Sequence, residues 1–244
     1  MSLLLNCDLG ESFGAWTMGM DSAVMAHIDQ ANIACGFHAG DPLIMSQTLA
    51  LAKEHGVRIG AHPAYPDLVG FGRRALHCSA AEITALVLYQ ASALSGMAQS
   101  MGLSLEYVKP HGALYHDMMT QAQVRHAIMD AVASFSLPIR LMLQATPERE
   151  LHAEEAKARG LELWFEAFAD RAYDDDGKLL SRSVTGAVLN REQMLAQVQQ
   201  LNQQGSVTTL GGQTLAVQAD TLCVHGDNPE GVAAIVAIRE LLQS

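Results

Sequence analysis

The chain has only four cysteines among 244 residues, and no two of them form a C-x-x-C pair. Cys7, Cys35, Cys78 and Cys223 are scattered, which suits reduced thiols in a reducing compartment and predicts no disulfide. No run approaches the roughly 18 apolar residues of a membrane-spanning helix. The first residues lack the basic region and apolar stretch of a signal peptide, so a cytoplasmic location is expected. Positive charge is also scarce: 15 basic against 26 acidic residues give a net charge of −11, which opposes phosphate backbones and anionic lipid. Neither nucleic acid nor a membrane is an expected partner. The patterns G-x-x-x-x-G-K-[ST] and G-x-G-x-x-G are missing, which leaves no recognisable nucleotide cradle, and there is no G-x-S-x-G elbow. Nor does any linker, repeat or low-complexity stretch divide the chain, so residues 1–244 read as one domain.

What is present is a sizeable core-forming fraction, with 49% hydrophobic and 17% charged residues. Short apolar runs alternate with segments of helical period, the pattern of βα units feeding a parallel sheet. Strands are expected at 3–5, 31–34, 57–61, 105–109, 139–143, 161–168 and 221–224. Helices are expected at 42–55, 81–101, 121–134, 148–159, 191–204 and 229–242. Asp41 is placed to cap the first of these, Gly56 to end it. Residues 207–217, with Gly211-Gly212 between β-rich flanks, predict a hairpin. Residues 170–183 are charged and turn-prone, which predicts a surface loop able to act as a lid. The fold class is therefore α/β, a (β/α) barrel-like arrangement of parallel strands.

The polar residues collect just after these strands. Asn6, Cys7, Asp8 and Glu11 follow the first, Cys35 and His38 the second, and His62 the third. The fourth ends in Lys109 and His111, the sixth runs into Glu166, Asp170 and Arg171, and the last ends in His225, Asp227 and Asn228. In parallel α/β folds such ends converge on one face and make a site. One histidine at a strand end is usually a hydrogen-bonded structural residue, but four of the ten (His38, His62, His111, His225) fall there together. His27, His55, His77, His116, His126 and His152 show no such pattern and read as surface or capping residues. The cysteines at strand ends read as packing thiols. Arg73 and Arg74 present paired donors suited to a carboxylate or phosphate, or simply line a solvated loop.

Several motifs carry a resemblance. Asn6-Cys7-Asp8-Leu9-Gly10-Glu11, the run from Ala31 to Pro42, His62-Pro63 and Gly70-Phe71-Gly72-Arg73-Arg74 resemble the LamB/YcsF family, as do Lys109 to Tyr115, Glu166 to Tyr173 and Val224 to Asp227. That family is the A subunit of bacterial 5-oxoprolinase, and the match covers nearly the whole chain. The resemblance implies ATP-dependent opening of 5-oxoproline to glutamate in a complex with B and C subunits. It also implies a barrel related to those of polysaccharide deacetylases and glycoside hydrolases. The missing phosphate-binding loop fits a division in which B and C handle ATP and this chain performs hydrolysis.

For that chemistry the site needs a base, a stabiliser of the oxyanion and a cation for the substrate carboxylate. Asp8 is the first candidate for base or metal ligand, with Glu11 as the alternative. His38 and His62 either complete a divalent metal set with Asp8 or act directly in proton transfer. The deacetylase pattern of paired aspartates and closely spaced histidines is not matched. Arg73 or Lys109 is expected to hold the substrate carboxylate, with His111, Asp170, His225 and Asp227 lining the pocket. Two other readings remain open: a metal-dependent deacetylase or amidohydrolase on a small amide or sugar, and a non-catalytic ligand-binding subunit.

Overall fold

The computed structural model describes residues 3–182, 184–226 and 229–243. Seven parallel strands close a barrel: β1 (Leu4–Leu9), β2 (Gln30–Ala34), β3 (Arg58–His62), β4 (Leu105–Val108), β5 (Arg140–Gln144), β6 (Leu163–Phe168) and β9 (Thr221–Val224). The last strand pairs with both β1 and β6 and completes the ring. Between β6 and β9 lie a helix, α7 (Arg191–Gln204), and an antiparallel hairpin of β7 (Ser206–Thr208) and β8 (Thr214–Ala216) outside the barrel. This is the α/β barrel and the hairpin that the sequence predicts.

Around the ring run α1 (Asp21–Met25), α2 (Pro42–His55), α3 (Ala80–Ser100), α4 (Gly112–Thr120), α5 (Ala122–Ala133), α6 (Arg149–Lys157) and, after β9, α8 (Pro229–Gln243). Their ends follow local chemistry. Asp41 accepts from the Leu43 and Ile44 amides at 2.8 and 3.0 Å, Pro42 fits the first turn, and Gly56 ends α2 at φ 66. Ser79 with Glu82 and Asn190 with Gln193 form reciprocal capping boxes on α3 and α7. Leu5, Ile33, Ile59, Val108, Leu141, Ala167 and Leu222 belong to the buried apolar core.

Several expectations need correction. The first strand does not stop at Leu5 but runs to Leu9, although Asn and Asp disfavour strands, because Asn6 and Asp8 are paired inside the barrel. Helices α1 and α4 were not expected; α4 begins at Gly112, directly behind the turn residues Pro110-His111, which mask its start. His152, read as a surface or capping residue, is fully buried, on the face of α6 that also carries Ala156. The segment 170–183, by contrast, is the loop expected and is internally tied: Tyr173 bridges Leu179, Leu180 N donates to Ala172 O, and the Arg171 guanidinium donates to Leu180 O.

The barrel interior is polar. Asn6, Gln30, Asn32, Tyr107, Glu166, Thr221 and Cys223 are all fully buried. Tyr107 OH donates to Asn32 Oδ1 at 2.6 Å, and Asn32 Nδ2 donates to Asp8 Oδ1 at 2.7 Å and Asn6 Oδ1 at 2.8 Å. Gly60, opposite Tyr107 in register, lacks the Cβ that would run into the phenol ring.

Candidate active site

The strand ends of the barrel place one charge cluster at its mouth. Asp8 and Glu166 point inward from β1 and β6, and Lys109 follows β4 directly. The Lys109 ammonium lies 3.0 Å from Asp8 Oδ1 and 3.0 Å from Glu166 Oε2, with Cys223 Sγ at 3.1 Å and Asn6 Oδ1 at 3.3 Å. Burial alone would lower the Lys109 pKa, but the Asp8 and Glu166 carboxylates outweigh it and hold the ammonium well above its ordinary value. Burial would likewise raise Asp8, yet His62 and Lys109 keep its carboxyl well below the usual range. Lys109, one of the two residues expected to hold a substrate carboxylate, thus pairs with two carboxylates of the protein.

Three imidazoles stand beside this cluster. His62 ends β3, and His111 precedes α4. His38 sits on the loop after β2, where Gly40, at φ 76, approaches Gly10 O and Ala34 O too closely for a side chain. His38 and His111 stack at 3.8 Å and 7°, and His62 meets both edge-on. Gly72, at φ 65, makes room for them: a Cβ there would lie 2.8 Å from His111 Cδ2 and 2.8 Å from His38 Cβ. Burial first, and then the neighbouring imidazoles, push His38 and His111 well below the ordinary histidine value, which keeps both rings neutral. Phe71 holds a left-handed φ of 54, unusual for a bulky residue. Its carbonyl accepts from His111 Nε2 at 2.9 Å.

On the opposite wall His225 Nδ1 donates to Asp170 at 2.9 Å, while its ring stacks on Phe168. The cavity between these walls is about 110 Å³, lined by Asp8, Glu11, His62, His111, Arg73 and Lys109, together with Tyr115, Phe168, Arg171, Leu179, Arg182 and His225. Leu179 and Arg182 come from the 170–183 segment, which therefore borders the site. Asp227 lies outside the described residues.

The structure brings together Asp8, Glu11, His38, His62, His111, Lys109, Asp170 and His225, and places exposed Arg73 at the rim. It does not assemble the metal set expected from Asp8, His38 and His62. Ligand atoms of Glu11, His38, His62 and His111 lie within 4.8 Å of one another, whereas Asp8 groups with Cys223 and His225. The fully buried thiols of Cys7 and Cys223 are pushed up by burial and stay protonated, as packing residues do. Sequence reasoning gave no role to Glu166, Asn32, Tyr107 or Tyr115. A signal existed for Asn6 and Asn32, since asparagine inside an apolar strand needs a partner.

The comparisons agree with this architecture. The LamB/YcsF family model matches residues 3–244. The chain belongs to the LamB/YcsF family. It is 53% identical over 238 residues to the 5-oxoprolinase A subunit of Chromohalobacter salexigens, covering 97% of this chain and 95% of that one. The 5-oxoprolinase A subunit of Vibrio cholerae is 52% identical over 242 residues, covering 99% and 98%. The crystal structure of a lactam utilization protein from Thermus thermophilus superposes with a TM-score of 0.91 at 41% identity, covering 100% of this chain and 96% of that one. Among the described residues no helix is long and apolar enough to cross a membrane.

Proposed function

We propose that residues 1–244 form the hydrolytic A subunit of an ATP-dependent 5-oxoprolinase, which opens 5-oxo-L-proline to L-glutamate together with B and C subunits in the cytoplasm. The observation that carries this reading is the buried Asp8–Lys109–Glu166 cluster facing a small polar cavity, in a chain whose full-length relatives bear that name. Four free thiols support the reducing compartment.

The ring amide is unstrained and resists water. ATP, the co-substrate, phosphorylates its oxygen, a step assigned to the partners because this chain has no phosphate-binding loop. Water adds at the activated carbon, the ring nitrogen takes a proton and leaves, and a second water cleaves the resulting acyl phosphate to carboxylate and phosphate. Asp8 stays ionised, and its Oδ2 orients the water; Lys109 and Asn32 hold the other oxygen. His225, its Nδ1–H held by Asp170, takes a proton from the attacking water at Nε2 and passes it to the departing ring nitrogen. Arg73 holds the substrate carboxylate in place of the committed Lys109.

The test is glutamate release from 5-oxoproline and ATP, with and without B and C. Release only by the three together, and its loss in Asp8→Ala, is expected. The reading fails if this chain alone consumes ATP with 5-oxoproline, or if B and C alone release glutamate.

A further inference from the structure

His62 and His111 have their outer nitrogens committed. His62 Nδ1 lies 2.6 Å from Lys109 O, and His111 Nε2 lies 2.9 Å from Phe71 O. A carbonyl oxygen only accepts, so both of these nitrogens carry protons. The inner nitrogens His62 Nε2 and His111 Nδ1 then face each other 3.0 Å apart, with no other donor of the described residues between them. Two lone pairs at that distance repel unless positive charge stands with them.

The surroundings specify that charge. Asp8 Oδ2 lies 3.5 Å from His62 Nε2, and Glu11 Oε1 lies 3.7 Å from His111 Nδ1. Asp8, Glu11 and Glu166 bring three buried carboxylates to one cluster; Lys109 answers with one ammonium, Arg171 on the far wall is turned to the Ala187 and Leu180 carbonyls, and Arg73 stands at the exposed rim. An outer N–H anchored on a backbone carbonyl is how proteins fix the tautomer and aim of a metal-binding imidazole. Bonds of about 2.0–2.2 Å in tetrahedral geometry separate ligand atoms by roughly 3.3–3.6 Å, and the observed separations of 3.0 and 3.7 Å bracket that.

We propose that His62 Nε2, His111 Nδ1 and Glu11 hold a single divalent first-row cation such as Zn²⁺ or Mn²⁺. His38 is excluded despite its proximity. Its ring lies parallel to His111 at 3.8 Å, so an ion in the His111 plane stands about a ring spacing above His38 and misses its lone pairs. With two nitrogens and one carboxylate as ligands, positions remain open on the cavity side, where Glu11, His62 and His111 all line the lumen. A bound cation would supply Lewis-acid polarisation of a carbonyl oxygen there. This site rests on the geometry alone and not on the identity of the substrate.

The test uses the full chain stripped by chelator and titrated calorimetrically with Zn²⁺ or Mn²⁺ alone. One ion per chain is expected, with affinity at least about 100-fold weaker in His111→Gln and Glu11→Gln and within a few-fold of wild type in His38→Gln. Should the variants fail to fold, Co²⁺ added to the wild-type chain gives visible d–d absorption that one equivalent of Zn²⁺ removes. Absence of stoichiometric binding by wild type overturns the proposal, leaving a shared proton between the two imidazoles. Equal loss in His38→Gln and His111→Gln overturns the ligand set. Because the titration contains no substrate, its failure is separate from that of the proposed function: an ion-free chain that still releases glutamate with its partners refutes the metal and leaves the proposed function standing.

Discussion

Replacing Lys109 by Met removes the ammonium and leaves Asp8 and Glu166 buried beside an apolar chain. Each contact spans 3.0 Å, which at an effective dielectric of about 20 corresponds to roughly 5 kcal/mol of attraction. The variant also escapes the cost of burying the ammonium, so the net loss is smaller, about 3–5 kcal/mol, as for other buried pairs stripped of one partner. The pH dependence has a definite sign. Asp8 has a depressed pKa in the wild type, so its contribution is present above the unfolded value of about 3.9 and disappears as pH falls through the lower folded value. Without Lys109, burial pushes Asp8 upward, and protonation relieves the variant as pH falls. Urea unfolding followed by circular dichroism should therefore show the largest difference at about pH 7.5 and a smaller one at about pH 5. A loss under about 1 kcal/mol at neutral pH, or one that does not change between these conditions, would refute the reasoning.

Asp170→Asn should lower kcat by about 10²–10⁴ with little change in KM, since it disturbs the tautomer of His225 rather than binding; unchanged kcat removes His225 from the proton transfer. Arg73→Gln should raise KM for 5-oxoproline by roughly 10- to 100-fold, the range of a lost charge-assisted hydrogen bond, whereas an unaltered KM would move the carboxylate contact elsewhere. Gly60→Ala drives a methyl group into the Tyr107 ring and should cost about 1–3 kcal/mol in thermal unfolding; a neutral result would mean that the ring shifts freely. His126, half-exposed and paired with Glu155, is remote from the cavity, so His126→Ala should retain turnover within about twofold.

Much of the barrel was legible because periodicity and capping are local. Asp41, Pro42 and Gly56 bound α2 through chemistry written within a few residues, and α7 and β9 fall at their expected limits. The site was legible as a set of strand-end residues, since parallel strands must bring their ends together. What stayed hidden depends on side chains meeting across the barrel. Nothing near Lys109 in sequence reveals that its ammonium reaches Asp8, 101 positions away. The stacking of His38 on His111 and the carbonyl of Phe71 that fixes His111 arise from loop geometry around Gly72, which no spacing rule encodes. Helix α4 escaped because the turn residues before it signal an end rather than a beginning.

The closing position of β9 makes catalytic competence a late event in the life of the chain. Every earlier strand can find one neighbour as it emerges from the ribosome, yet β1 and β6 acquire their shared partner only when Thr221–Val224 arrives. That strand brings Cys223 to the ammonium and His225 to Asp170. A nascent or prematurely terminated chain therefore displays most of the barrel but lacks Cys223, His225 and an intact wall. Incomplete products would be left with an open site.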